Sequence, residues 1–134
     1  MKKRLLFLIL PVITIVLLIL PYGAVLNFGN PDGPPWRVTY SYFDPAPFAY
    51  ANFAPLLTAI CACLAFALLV AYCITDKYVI AKISKILLIV AAALSLCPLF
   101  YGIANFSVVG GFITATLLAE FFVVHFCVKR PLNA

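Results

Sequence analysis

Residues 27–55 read NFGNPDGPPWRVTYSYFDPAPFAYANFAP, and this stretch decides the fold. It contains six of the ten prolines, the only tryptophan, a single arginine and two of the four acidic residues. Proline has no backbone N–H, and its ring clashes with the preceding helical turn. A segment with so many prolines cannot form the continuous helix that a bilayer crossing requires. We therefore predict that residues 27–55 form a loop outside the membrane.

The sequence on both sides of this loop is strongly apolar. Of the 134 residues, 66% are apolar and 10% are charged, whereas about a quarter of the residues of soluble domains are charged. Runs of about 20 apolar residues match a hydrocarbon core that is roughly 30 Å thick. The runs predict four transmembrane helices, at 5–26, 56–75, 86–104 and 108–128, with a cytoplasmic connection at 76–85. The predicted fold is an all-α integral membrane protein, in which residues 1–134 form one membrane domain: a four-transmembrane-helix bundle with an aromatic, proline-rich extracytoplasmic loop between helices 1 and 2.

The basic residues predict the orientation. Arg37 alone lies in the loop, and eight basic residues flank helix ends that would share one side of the membrane: Lys2, Lys3, Arg4, Lys77, Lys82, Lys85, Lys129 and Arg130. Lys and Arg are enriched in cytoplasmic segments, so we predict a multi-pass protein of the plasma membrane with cytoplasmic N- and C-termini. Basic residues placed beside apolar runs indicate a lipid bilayer as partner and no nucleic acid.

The N-terminal run also fits a secretory signal peptide, which begins with basic residues and continues with an apolar stretch. A cleavage site after Ala24 would place Tyr22 where a small residue is needed. We therefore predict that the first span is retained.

Three prolines fall inside the predicted spans. Pro11 and Pro21 remove backbone donors from the first helix, so a kink and an early end are expected. Pro98 leaves the Leu94 carbonyl without its usual donor, which predicts a bend in the third helix.

The second predicted helix carries small residues at four-residue spacing. They are Ala59, Cys63, Ala67 and Ala71. Small side chains allow the backbones of two membrane helices to approach closely. This spacing predicts that the four residues form a packing seam.

Glu120 is the only acidic residue within a predicted span, and it lies close to the membrane midplane. An acid at that depth is unfavourable in lipid and marks a candidate functional site. Desolvation favours its protonated form. Thr116 lies one turn earlier on the same helix face and is the second residue of this candidate intramembrane site. A structural hydrogen bond, an ion or proton role and contact with a partner subunit all remain open.

The sequence predicts no catalytic, cofactor-binding or metal site. His125 is the only histidine, and Asp32 and Asp44 would supply two metal ligands where three or four are usual. The five cysteines form no C-x-x-C motif, and none lies in residues 27–55, so we interpret them as buried apolar side chains.

Within the loop, side chains alternate between apolar and polar from Trp36 to Tyr42, which predicts an extended segment. We expect an ordered structure that serves either as an aromatic lid over the helices or as a recognition surface. The candidate lid or recognition residues are Trp36, Arg37, Tyr40, Tyr42 and Asp44. Arg37 is expected to pair with Asp32 or Asp44.

Two families are similar in layout. Claudin-type proteins have four spans and a long first outer loop, but that loop carries a tryptophan followed by paired cysteines, and this loop has no cysteine. Small multidrug transporters are similar in size and use one membrane glutamate, but theirs lies in the first helix, and residues 5–26 contain none. We therefore assign no family.

The predicted function is that of a small non-enzymatic membrane component that serves packing, accessory or interaction roles. Its partner would be a second copy in a homo-oligomer or a larger membrane-protein complex, with loop 27–55 as the recognition surface. The alternative is a small oligomeric ion- or proton-coupled transporter or channel that uses Glu120.

Overall fold

The computed structural model describes the backbone of residues 2–128 and the side chains of residues 4–128. The chain is mostly helical, and three helices are long and apolar enough to cross a membrane: Ala54–Thr75, Tyr78–Tyr101 and Val108–Cys127. The elements are α1 (Lys2–Leu5), a 3-10 turn (Leu6–Leu8), α2 (Ile9–Ile19), β1 (Ala24–Phe28), β2 (Trp36–Tyr40), α3 (Ala46–Ala49), α4 (Ala54–Thr75), α5 (Tyr78–Leu96), two 3-10 turns (Cys97–Tyr101 and Ile103–Asn105) and α6 (Val108–Cys127).

The four longest helices form a bundle in which each helix contacts two neighbours. Helix α2 lies against α4 and α6, while α5 completes the ring by contacting α4 on one side and α6 on the other. Short connections between α4, α5 and α6 place sequential helices next to each other. Helices α5 and α6 are therefore neighbours.

Small side chains fill the helix contacts, but the seam on α4 differs from the predicted one. Its buried face contains Ala59, Ala62, Ala65 and Leu69. Cys63 and Ala71 are half-buried and Ala67 is exposed, so the predicted four-residue stripe is wrong at Ala67. A helix has 3.6 residues per turn, so residues four apart drift by about 40° with each step and leave the contact face.

The first helical segment ends at Ile19, which confirms the early end expected from Pro21, whereas the limit predicted at residue 26 is wrong. Leu20 has extended backbone angles (φ −59°, ψ 135°) because Pro21 follows it and disfavours helical geometry in the preceding residue. The helix is also interrupted ahead of Pro11, where the 3-10 turn Leu6–Leu8 replaces regular α-helical bonding. The remaining apolar residues form β1 instead of a further helical turn.

The third predicted helix, 86–104, is wrong at both ends. The connection at 76–85 shrinks to two residues: Asp76 is left-handed (φ 57°), its N–H donates to the Tyr72 carbonyl at 2.8 Å, and Lys77 is extended. Lysine is a good helix former, so α5 runs through Lys82 and Lys85. At the other end α5 stops at Leu96, because Pro98 cannot donate and the Cys97 N–H takes the Leu94 carbonyl in a 3-10 turn.

The segment between α2 and α4 is ordered, and we call residues 21–53 the cap. Strands β1 and β2 pair antiparallel, with Ala24 opposite Tyr40 and Phe28 opposite Trp36. Strand β2 lies within the segment that was predicted to be extended. The turn before it begins at Asn30, whose side-chain oxygen accepts the Asp32 N–H at 3.1 Å. Predicted loop 27–55 thus contains a strand, a short helix and the first two residues of α4.

Helix α6 spans Val108–Cys127, one residue shorter than the predicted 108–128. Ser107 caps its start by accepting the Gly110 N–H at 2.8 Å, as serine commonly does at a helix N-terminus. Lys129 and Arg130, which were predicted to follow the helix, lie outside the described residues.

Candidate functional site

Glu120 lies in the contact between α6 and α2. Its side chain is 4% exposed, and the Thr14 side chain that faces it is 1% exposed. The Thr14 hydroxyl donates to Glu120 Oε1. It also lies 3.1 Å from the Leu10 carbonyl, one turn earlier in α2. One hydroxyl proton cannot fully satisfy two acceptors, and a protonated Glu120 that donates to Thr14 Oγ1 would satisfy both.

The surroundings of this pair are apolar. On α6, the buried residues next to Glu120 are Leu117 and Val124. One ion pair is found among the described residues: Arg4 Nη2 lies 2.6 Å from Asp76 Oδ2, and both side chains are exposed at helix ends. A cavity beside α6 is lined by Leu6, Phe7, Val123 and Cys127 and does not include Glu120 or Thr14. The carboxyl group is therefore buried in the helix contact, where one hydroxyl bonds to it.

Similar polar contacts join the other helices. Ser84 on α5 donates to the Ala65 carbonyl on α4 at 3.2 Å. Ser95 on α5 and Thr114 on α6 place their hydroxyl oxygens 2.7 Å apart. Three of the four helix contacts thus contain a buried hydroxyl, and the Thr14–Glu120 pair fits this pattern.

Thr116, the predicted companion of Glu120, bonds within its own helix. Its hydroxyl donates to the Ile113 carbonyl at 2.9 Å. The partner that sequence reasoning missed is Thr14. Thr14 lies ten residues after Arg4, and Glu120 lies nine residues before Lys129. Both residues are thus about equally far from a basic helix end, so they are expected at the same depth in the membrane. This matched depth was the signal that could have identified the pair.

Tyr42 anchors the cap to the bundle. Its side chain is 1% exposed, and its backbone N–H donates to the Leu18 carbonyl at the end of α2 at 3.0 Å. Two glycines make room for the ring: a Cβ built on Gly23 would lie 2.7 Å from Tyr42 Cδ1, and one on Gly110 would lie 3.3 Å from the hydroxyl oxygen. Burial raises the pKa of the Tyr42 phenol well above its ordinary value. This position fits the lid prediction for Tyr42 and leaves little of it accessible to a partner.

Side-chain hydrogen bonds attach the cap to the turn before α6. The Ser107 hydroxyl donates to the Gly23 carbonyl at 2.6 Å. Asn27 Nδ2 donates to Asn105 Oδ1 at 2.7 Å and to the Ala104 carbonyl at 3.2 Å. These bonds connect residues that are more than 70 positions apart, so they fix the cap against the helix ends.

The other candidate lid or recognition residues differ in accessibility. Trp36 is 66% exposed, Tyr40 is half-buried against the core, and Asp44 accepts the Ala46 N–H at the start of α3 at 2.8 Å. Arg37 donates to the Phe106 carbonyl at 3.4 Å. Its predicted pairing with an aspartate is wrong, because the strand register places Arg37 opposite Asn27, beside the turn before α6.

The described residues bring no three His, Cys, Asp or Glu side chains together in a metal-binding group. All five cysteines are free. Comparison with known proteins gives no relative: no family model, no curated protein and no solved structure matches this chain.

Proposed function

We propose that the chain is a small, non-enzymatic, four-span protein of the plasma membrane that associates with a second copy or with a larger membrane-protein complex. The observation that carries this proposal is the burial of Glu120 in a helix contact. The only acid in the helices is buried between α2 and α6 and bonded to Thr14. A carboxyl group used in this way contributes to helix packing rather than to transport.

In this proposal the first helical segment, residues 2–19, provides the fourth crossing. Eighteen helical residues extend roughly 27 Å, close to the hydrocarbon thickness of about 30 Å. Several contacts tie the segment to the rest of the chain, among them the Thr14–Glu120 bond and the Arg4–Asp76 ion pair. Both support retention of the segment as a span rather than its removal as a signal peptide.

The cap would then lie outside the cytoplasm. The basic residues near the opposite helix ends support this orientation, since Lys and Arg favour the cytoplasmic side. Exposed aromatic side chains at the cap end support it as a membrane interface, where aromatic rings with polar groups are enriched. They are Tyr22, Trp36, Tyr50 and Tyr101.

Trp36 is the centre of the proposed recognition surface, and Arg37 lies next to it on the opposite face of β2. Trp36 projects from a strand whose position is fixed by pairing, and Arg37 is held against the Phe106 carbonyl. Phe106 also lines an open apolar groove that continues along α6 past Val108 and Phe112. Tryptophan and arginine contribute strongly to protein interfaces, and a rigid surface loses little entropy when it binds.

Association can be tested by crosslinking in native membranes and in mild detergent. Trp36→Ala should lower the yield of the crosslinked complex several-fold, whereas Tyr22→Ala, which removes a similarly exposed aromatic residue of the cap, should leave it unchanged. An equal yield for Trp36→Ala and the wild-type chain would refute the recognition surface.

The alternative is an oligomeric ion- or proton-coupled transporter or channel that uses Glu120. The observation in its favour is that, within residues 4–128, no side chain donates to the second carboxyl oxygen of this buried acid. Glu120→Gln keeps the hydrogen-bonding shape and removes the titratable group. We expect unchanged proton flux in reconstituted vesicles for this variant, and a loss of flux relative to the wild-type chain would establish the alternative.

A further inference from the structure

A cavity of about 250 Å³ opens at the edge of the cap. Its apolar floor is formed by Val25 and Leu26 of β1, both buried. Two tyrosines at its rim, Tyr50 and Tyr101, are 64% and 71% exposed. Three asparagines and Ala51 also line it; the asparagines are Asn27, Asn52 and Asn105. The lining thus combines apolar and polar groups and carries no charged side chain, and two tyrosine rings lie at its rim.

The amide groups of this lining offer both acceptors and donors. Both hydrogens of Asn27 Nδ2 are used, on the Ala104 carbonyl and on Asn105 Oδ1. Asn105 Nδ2 is used on the Tyr101 carbonyl at 2.8 Å. No described residue donates to Asn27 Oδ1, so this oxygen keeps its capacity to accept a hydrogen bond. Asn105 Nδ2 uses only one of its two hydrogens, so it can still donate. A molecule that both donates and accepts hydrogen bonds, as hydroxyl groups do, therefore suits the cavity.

Asn52 adds an acceptor that has no partner within the described residues. Its Oδ1 is buried and accepts no hydrogen bond, which is an unfavourable state for a polar atom. Asn52 lies in the wall between this cavity and a second one of about 170 Å³. The preceding Ala51 has φ 63°, a strained left-handed conformation for a residue with a Cβ. A rotation of the Asn52 amide toward the larger cavity would give its oxygen a donor from a bound molecule.

Charge and size narrow the class of ligand. An anionic group has no hydrogen to donate and would leave Asn27 Oδ1 without a partner. A cationic ammonium group would approach Arg37, which lies opposite Asn27 in the sheet. A neutral molecule with several hydroxyl donors avoids both penalties, and its apolar ring face can pack on the tyrosine rings. The volume corresponds to about eight water molecules at ~30 Å³ each, which is the space of a single sugar ring.

We propose that this cavity binds one neutral, hydroxyl-bearing ring of hexose size, either as the headgroup of a glycolipid or as a free sugar. Asn27 and Asn52 accept the hydroxyl protons, and Tyr101 packs on the ring. Trp36 does not line the cavity, so this site is independent of the recognition surface proposed above.

The test measures binding to the full chain in phosphatidylcholine nanodiscs by native mass spectrometry. One arm adds a monohexosyl diacylglycerol, the second adds soluble methyl glucoside, and a comparison arm adds phosphatidylethanolamine. We expect saturable binding in at least one sugar arm, and the arm that binds identifies the source. Phosphatidylethanolamine should bind more weakly. Asn52→Ala should weaken sugar binding about three- to tenfold, the effect of one lost hydrogen bond.

Tyr101→Ala provides a second variant, because this exposed side chain can be removed without loss of packing in the bundle. It should weaken sugar binding as well, and the matched variant Tyr22→Ala should not. Thermal unfolding without ligand identifies folded variants, so Tyr101→Ala decides the outcome if Asn52→Ala fails to fold. The proposal is overturned if neither sugar binds to the wild-type chain, if phosphatidylethanolamine binds as tightly, or if the two tyrosine variants behave alike.

Discussion

The bundle and the cap are stabilised in different ways. In the bundle, small side chains such as Ala62, Ala65 and Ala91 let the helices approach closely over a long contact. In the cap, the backbone is fixed by a few individual side chains that reach across the sequence, as Ser107 does to the Gly23 carbonyl. The stability of the bundle therefore depends on a pattern repeated along helices, whereas that of the cap depends on single contacts.

The largest effect is expected from overpacking the bundle. Ala65 is 0% exposed, and its carbonyl accepts a hydrogen bond from Ser84 of α5. Ala65→Leu inserts three carbon atoms into this contact and should lower the free energy of unfolding by about 3 kcal/mol. The control Ala67→Leu changes an exposed position on the same helix and should change it by less than about 0.5 kcal/mol. Reversible unfolding in SDS mixed micelles measures both. Equal losses would show that the contact face of α4 is assigned incorrectly.

A single added methyl group should have the next largest effect, in the cap. A Cβ on Gly23 would lie 2.7 Å from Tyr42 Cδ1 and 2.9 Å from Tyr42 Cε1, whereas one on Gly29 would meet nothing within 4 Å. Gly23→Ala should therefore cost about 2 kcal/mol of unfolding free energy, and Gly29→Ala should change it little. The same unfolding titration applies. If Gly23→Ala leaves the unfolding free energy unchanged, Tyr42 does not anchor the cap.

The smallest expected effect is a loss of unfolding free energy at alkaline pH. The folded pKa of Tyr42 is raised by burial, so the folded state holds its proton more tightly than the unfolded state does. Its contribution to stability is present below the unfolded pKa of about 10 and is lost as the pH rises above it. The loss is at most about 1.4 kcal/mol per pH unit. Unfolding measured between pH 9 and pH 11 should show a steeper decline for the wild-type chain than for Tyr42→Phe. Parallel curves would argue against a buried phenol.

The sequence predicted the membrane helices best where an apolar run was bounded by clear signals. Helices α4 and α6 begin and end within two residues of their predicted limits, because Pro55, Asp76 and Ser107 mark those limits. The first helix was predicted too long, because Ala24–Phe28 is as apolar as a helix end. Only its pairing with Trp36–Tyr40, a contact between distant residues, makes it a strand.

The candidate site was predicted in part. The sequence singled out Glu120 and a hydroxyl partner as one of its options, but it placed that partner on the same helix at Thr116. Spacing along one helix shows which residues share a face, and it does not show which neighbouring helix covers that face. For the same reason the cluster of Asn27, Asn52 and Asn105 could not be recognised, since three separate segments bring it together.

A double-mutant cycle measures whether Glu120 and Thr14 stabilise the contact between α2 and α6. Thr14→Val, Glu120→Leu and the double variant are unfolded in the same micelles, and a control cycle replaces Thr14→Val with Thr116→Val. We predict a coupling energy of about 1 kcal/mol between Thr14 and Glu120, within the range of interhelical hydrogen bonds in membranes. The control cycle should give less than about 0.3 kcal/mol. Additive effects of Thr14→Val and Glu120→Leu would contradict the account.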